Sequence, residues 1–484
     1  MPSPAAVRKL KEIVGPENFL DSQESLIAYS YDATAIEPQL PAAIVSPSNA
    51  EQVCRIIRLA NEERFPVVPR GSGTGLSGGA LPVPGSIVLL TNHWNRILEI
   101  DRENMTVTVQ PGVITAHLHQ AVERLGYLYP PDPGSSSICT LGGNVAENSG
   151  GLRGLKYGVT KNYVMGIEAV LPTGEILNTG GKSVKDVAGY NLKDVFIGSE
   201  GTLGVFTKLL LKIIPQPQSH RTMVAFYSSM DDAARTVSAI IAEKITPAML
   251  EFLDQVTIRC VEEYTHLGLP VDSEAMLLIE VDGRRTVVEE DAALISEICR
   301  KHGATAIKIA KDDPESLRLK TARRAAFTSL ARVKPTTIME DVAVPRADLA
   351  RLVARISELG RKNGVMIGNF GHAGDGNLHP NYMTDERDPE QFRRAEKTVF
   401  EVEEAAIELG GTITGEHGVG LYKKRLLEKM VGSPSLNMMR TLKQMMDPNN
   451  VLNPGKVFDL KPKCEGALPR DREQIKKFQD VAWM

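Results

Sequence analysis

Five cysteines in 484 residues, odd in number and with no C-x-x-C among them, exclude several chemistries at once. Neither an iron–sulfur cluster nor a local zinc knuckle can be built from such spacing. Cys54, Cys139, Cys260, Cys299 and Cys464 read as buried or idle thiols. Long apolar runs are lacking too, and nothing approaches the roughly 18 consecutive residues of a membrane span. The N-terminal "MPSPAAVRKLKEIVG" sets Val7, Leu10, Ile13 and Val14 at helical spacing but has no apolar secretory core. Nor is there a basic excess: Lys+Arg number 56 against 60 Asp+Glu, a net charge of −4, with no long basic run. A nucleic-acid footprint is therefore not expected. What remains is a cytoplasmic globular protein, long enough for two or three domains.

Periodicity marks out the elements. "SNAEQVCRIIRLANEE" opens on a Ser/Asn cap and puts Val53, Ile56, Ile57 and Ala60 on one helical face. "FPVVPR", "SIVLLT" and "MTVTVQPG" read as short strands, and "TAHLHQAVERLG" as helix. The prolines of "LLLKIIPQPQ", residues 209–218, mark a first domain boundary. Beyond it, "RTMVAFYS", "MDDAARTVSAIIAEK", "AMLLIEVDG" and "EDAALISEICRKHG" alternate strand and helix, which predicts one antiparallel sheet with helices on one face. From residue 421 the chain reads as helical and then turn-rich.

What the sequence does have is glycine in clusters. "PRGSGTGLSGG", residues 69–79, formally matches G-x-G-x-x-G, but Pro82 and Pro84 rule out the helix that a Rossmann site needs. Two readings stand: an ordinary tight loop, or backbone amides converging on a phosphate. "PPDPGSSSICTLGGNVAENSGG", 130–151, and "GSEGTLGVFTK", 198–208, are further small-residue loops. Three in one region exceed what turn chemistry requires and suit a long ligand with two phosphates and a polar ring system, such as FAD.

Histidine is scarce, nine in all, yet "GNFGHAGDGNLHPN" sets His372 and His379 about a minimal turn, and "TGEHGVGLYKKRLL" adds Glu416 and His417. Two imidazoles and a carboxylate suit a divalent metal with positions left open. Taken singly, His372 and His379 are as well explained as hydrogen-bonded loop histidines, and Glu416 as a surface carboxylate.

Together with "LNPGK" near the end, these five motifs, in this order, resemble the FAD-linked oxidases of the vanillyl-alcohol-oxidase type. The branch they match is that of the D-2-hydroxy-acid dehydrogenases, which includes the glycolate oxidase flavin subunit and D-lactate dehydrogenase. The resemblance covers roughly residues 20 to 460. It implies an α+β fold: a two-part FAD-binding domain over 1–215, then a substrate-cap domain, an antiparallel sheet with helices, over 216–420. The cap would carry the metal site, and a C-terminal segment, 421–484, would pack back on the FAD domain.

By the same resemblance Arg70, Gly71, Ser72, Gly73, Thr74, Gly75 and Ser77 would wrap the FAD pyrophosphate. Pro131, Gly134, Ser135, Gly142, Gly143, Asn144 and Ser149 would line the flavin side, and Glu200, Gly201 and Gly204 would complete it. Residues 69–80 hold no histidine or cysteine, so FAD would be non-covalent. His372, His379 and Glu416 would be ligands of a divalent metal (zinc, manganese or iron), His417 the catalytic base, and Asn381 a neighbour of the substrate hydroxyl.

Either Arg323 or Arg324 would grip the substrate carboxylate, since a planar fork matches it better than lysine does. Lys423, Lys424 and Arg425 read as surface. The relative that takes a five-carbon diacid has a lysine where this chain has Met339. That favours glycolate or D-lactate over 2-hydroxyglutarate. A redox partner, either an iron–sulfur subunit or an electron-transferring flavoprotein, would receive the electrons, and could hold the chain at a membrane. The competing readings are a non-catalytic FAD-binding subunit and, leaving the glycine loops without purpose, a metallohydrolase.

Overall fold

The computed structural model describes residues 1–34 and 38–460. The N-terminal part contains two sheets. In the first, strands Ala43–Val45 and Val67–Arg70 both run parallel to Ile87–Leu90, and Phe19–Leu20 adds an antiparallel edge. Helices Pro4–Val14 and Ala50–Glu63 pack on it through Leu10, Ile13, Val53, Ile56 and Ile57. Each begins on a side-chain cap, Ser3 and Asn49, that satisfies an otherwise unpaired backbone N–H. The second sheet is antiparallel, in the order Ile97–Asp101, Thr106–Val109, Val205–Lys212, Val164–Val170, Ile176–Gly180. No helix follows Val67–Arg70 directly. Within the glycine-rich run 130–151, however, Leu141–Glu147 is helical, capped by Thr140.

The larger sheet is wholly antiparallel. Its order is Ala304–Ile309, Ser219–Tyr227, Ala275–Gly283, Met249–Asp254, Met366–His372, Asn377–Thr384, Thr336–Met339, with Val342–Ala343 also paired to Asn377–Thr384. Helices cover both of its faces, not one as the sequence predicts. Met223, Ala225 and Tyr227 face a core shared with Met230–Ala242, Arg285–Lys301, Leu349–Asn363 and Pro389–Glu408. Val224 and Phe226, between them in sequence, face a second core with Gln255–Thr265, Asp313–Arg324 and Ala326–Leu330. The cause lies in the strands themselves. "TMVAFY" is apolar without alternation, so both of its faces must be buried.

Residues 451–453 return to the first sheet; of the C-terminal segment expected to pack back, 461–484 lie outside the described residues. Val67 N donates to Val451 O at 2.7 Å and Asn453 N to Val67 O at 2.8 Å, while Val451 and Leu452 join the core around Ile56. Lys443, buried, donates to the Thr202 and Leu452 carbonyls. The four described cysteines are buried and unpaired; Cys464 lies outside the described residues. No helix among the described residues is long and apolar enough to cross a membrane.

Candidate active site

Strands Met366–His372 and Asn377–Thr384 form a hairpin toward one edge of the large sheet. Their register sets Phe370 opposite His379 and Gly368 opposite Asn381. Side chains two apart on a strand, or directly opposite across a pair, share a face. His372, Phe370, His379 and Asn381 therefore all project to one side, the side covered by the unexpected second helix layer. The two imidazoles meet edge to face at 5.2 Å between centroids. Both histidines are buried.

Glu416 reaches this pair from the loop after Pro389–Glu408. Its Oε1 lies 3.3 Å from His372 Nε2 and 3.4 Å from His379 Nε2. Burial alone would push the His372 imidazole toward neutrality, but Glu251 and Glu416 outweigh it and raise its pKa to about 10. Burial likewise opposes ionisation of Glu416, yet the two histidines hold its pKa well below the usual range. The proton between His372 and Glu416 thus sits where a divalent cation would replace it, and the three ligand atoms lie within 4.8 Å of one another. The donor set fits a metal.

His417 stacks on His379, 5.0 Å between centroids and 13° from parallel, and its Nδ1 is buried without a hydrogen-bond partner. Burial lowers its pKa to about 4, so it is neutral at physiological pH. Asp341 fixes the loop that carries Glu416 and His417. Its Oδ2 accepts from the backbone N–H groups of Gly415, Glu416 and His417 at 2.7–2.9 Å and from the Thr414 hydroxyl at 2.8 Å. Its Oδ1 accepts from Asn377 Nδ2 at 2.6 Å. Asp341, His379 and His417 also bring donor atoms close together. With both oxygens so engaged, Asp341 organises the loop and does not complete a second metal set. Three residues further along, Glu200 accepts from the Val419 and Gly420 N–H groups, both at 2.7 Å. Carboxylates from the two halves of the chain thus hold one short segment between them.

Lys423 departs from the surface reading. It is buried, paired with Glu340 at 2.9 Å, and donates to the Asp341 and Ile413 carbonyls. The carboxylate that draws it inward is remote in sequence, so the local Lys-Lys-Arg pattern misleads. Lys424 is partly exposed, and Arg425 is exposed over the Phe400 ring.

The two candidate arginines separate. Arg323 Nε donates to Glu251 at 2.7 Å and its guanidinium lies over Phe370. Arg324 is exposed at the same helix end, with no hydrogen-bond or ion-pair partner among the described residues. Asn381 Nδ2 donates to the His379 carbonyl at 2.6 Å, and its Oδ1 is buried and unpartnered. Met339 lies opposite Asn381 across the strand pair.

In the glycine loops, Arg70 ends its strand and folds its guanidinium over Gly73, whose φ is 72°. Ser72, Thr74, Gly75 and Ser77 follow in irregular chain. Arg70 Nε and Ser77 Oγ are buried and unpartnered, donors of the kind a pyrophosphate engages. The loop therefore fits FAD. Gly71 lies against the Thr140 side chain, and Gly142 lies on the Pro111 backbone. Gly143 N donates to the Thr140 hydroxyl. Nothing lies within 4 Å of where a Gly134 side chain would start. The Pro131 carbonyl meets the His119 ring, the Ser135 carbonyl accepts from Ile138 and Cys139 within the loop, and the Ser149 carbonyl accepts from Thr160. Asn144 donates to Thr115, Gly201 has a positive φ, and Gly204 makes room for the Phe196 ring.

Comparison with known proteins shows the family and the fold. Residues 41–180 match the FAD binding domain family and 216–457 the family of FAD linked oxidases, C-terminal domain. The chain is 52% identical to the glycolate oxidase subunit GlcD of Bacillus subtilis, over 93% of its own length and 96% of the relative's. It is 36% identical to a D-lactate dehydrogenase of Anaerostipes hadrus, with 94% and 97% covered. Among solved structures, p-cresol methylhydroxylase superposes with a TM-score of 0.79 at 19% identity, covering 95% of this chain and 98% of that one. The chain belongs to the FAD-linked oxidases: it is an FAD-dependent oxidoreductase with the vanillyl-alcohol-oxidase type of fold.

Proposed function

We propose that this protein oxidises a small D-2-hydroxy acid, glycolate or D-lactate, to the 2-oxo acid. The observation that carries the reading is the His372, His379 and Glu416 set with a neutral, unpartnered His417 stacked beside it. The names of the relatives, a glycolate oxidase subunit and a D-lactate dehydrogenase, support the substrate class.

Bound non-covalently in the glycine loops, FAD supplies the two-electron acceptor for the C2 hydrogen. A divalent cation held by His372, His379 and Glu416 supplies Lewis acidity at the 2-hydroxyl. The remaining work belongs to the chain. His417 Nδ1, unpartnered in a ring stacked beside the metal set, takes the hydroxyl proton. Arg324, without a carboxylate partner among the described residues, grips the substrate carboxylate, while Arg323 serves the fold. Asn381, on the same sheet face with its Oδ1 unpartnered, lines the substrate side of the site. Met339, apolar on the same face, suits a monoacid and disfavours the second carboxylate of 2-hydroxyglutarate.

The Bacillus subtilis relative is named as a subunit, and the present chain has no cysteine spacing for a cluster. Electrons are therefore assigned to a partner protein, an iron–sulfur subunit or an electron-transferring flavoprotein, and the chain to the cytoplasm. Anaerobic titration of the flavin-loaded protein with glycolate and with D-lactate tests the activity. Bleaching of the visible flavin band is expected with at least one. A flavin reduced by dithionite but by neither acid would instead favour a non-catalytic FAD-binding subunit.

A further inference from the structure

We propose that Glu251 is a positioning residue that sets the His372 imidazole for metal binding and ties it to the helix ending in Arg324. The inference rests on the metal reading above. Glu251 lies on strand Met249–Asp254, where Phe252 pairs with Gly371. That register carries Glu251 to the position across from His372. It is fully buried, between apolar layers that include Leu253 and Phe370. A carboxylate is costly to bury unless every oxygen is satisfied.

Both are. Oε1 lies 2.7 Å from His372 Nδ1, and Oε2 accepts from Arg323 Nε at 2.7 Å. A carboxylate can only accept, so it fixes the proton on Nδ1 and leaves Nε2, the atom facing Glu416, as the ligand. Groups that orient a ligand histidine in this way usually matter about 10–100-fold in metal affinity. On its other side, Glu251 holds Arg323. One turn earlier on the same helix, Lys320 pairs with Glu280 of the neighbouring strand Ala275–Gly283. The two ion pairs fasten the helix to the sheet, and the residue after Arg323 is the exposed Arg324. Glu251 is thus in direct contact with both a ligand and the helix end offered to substrate.

A plain structural ion pair would account for the Arg323 contact but not for an orienting role at His372. Two double variants separate these. In Glu251→Gln/Arg323→Met, the amide oxygen still accepts from His372 Nδ1 and no donor opposes the amide nitrogen. In Glu251→Leu/Arg323→Met, no acceptor remains. Both remove the ion pair as a unit, and a single cooperative thermal unfolding transition followed by circular dichroism reports that each is folded.

Competition titration of the full-length, FAD-loaded proteins with Zn²⁺ against a chromophoric chelator is expected to give the Leu variant a Kd about 10–100-fold weaker than the Gln variant. The Gln variant should lie close to wild type. KM for the hydroxy acid should rise in both, because each frees the helix end. Equal Zn²⁺ affinities in the two variants overturn the positioning role. A wild-type protein that binds neither Zn²⁺ nor Mn²⁺ overturns the metal reading on which it stands.

Discussion

Glycine is abundant both in the loops of residues 69–79 and 130–151 and in the hairpin of residues 366–384, and it serves opposite ends. In the loops it brings backbone and ligand donors forward: Gly73 sits beneath the Arg70 guanidinium at positive φ, and Gly134 faces open space. In the hairpin it brings protein atoms together. Side chains on Gly368, Gly371 and Gly374 would meet Leu330, the Asn377 carbonyl and Leu155. The polar chemistry there is left to His372, His379 and Asn381. One region offers backbone and a few fixed donors to a large cofactor. The other packs tightly so that a handful of charged side chains stay in place. Substitutions in the first region should therefore act on FAD binding, and those of the charged side chains in the second on metal binding and rate, with little crossover.

The largest expected effect tests the side-chain region. His417→Asn should slow substrate-driven flavin reduction about 10²–10⁴-fold, the usual cost of losing a general base. FAD content and Zn²⁺ affinity should be spared, and stopped-flow reduction with elemental analysis reads all three. Reduction at the wild-type rate would remove His417 from the chemistry, and loss of metal would make it a ligand.

Gly73→Ala tests the loops. A Cβ at positive φ costs about 1–2 kcal/mol, and here it would also displace the Arg70 guanidinium. FAD affinity should fall about tenfold or more, the equivalent of that strain, with Zn²⁺ affinity unchanged. A matched loss of metal would break the separation between the two regions.

The smallest effect is one of stability. Burial, with Glu340 adding to it, raises the Glu403 carboxyl to about 8 against the pull of Lys423. Between its unfolded value of roughly 4.3 and about 8, the folded protein keeps a proton that the unfolded chain gives up. Stability contributed at this site is lost as pH rises through that window. Glu403→Gln does not titrate, so its unfolding free energy should gain on wild type from about pH 5 to about 8, by up to about 1.4 kcal/mol per pH unit. A difference independent of pH would show that Glu403 is already ionised in the folded state.

Much of the architecture was legible because it is written locally. Caps, alternation and the proline-marked end of the first part can be read within a dozen residues. The hairpin around His372 and His379 was visible as a turn between short strands. The second helix layer was not, because a strand buried on both faces carries no alternation to say which side is free. Glu251 was illegible for a different reason. In "AMLEFL" it is one acidic residue among apolar ones, and only the pairing of Phe252 with Gly371 brings it to His372. Lys423 misled in the same way, since its partner Glu340 is remote in sequence. Choosing between Arg323 and Arg324 likewise needed the helix in place, where one side chain turns to Glu251 and the other to solvent.

The grip of Asp341 and Glu200 on residues 414–420 limits how such proteins can be recombined. A chimera joining the N-terminal part of one relative to the C-terminal part of another inherits that segment from the second donor alone. Its docking depends on a carboxylate from each. A first donor without an acid at the position of Glu200 would leave the Val419 and Gly420 amides unmatched at the seam, beside the residues that carry the chemistry. Restoring that one side chain is then the first repair to make in any such hybrid.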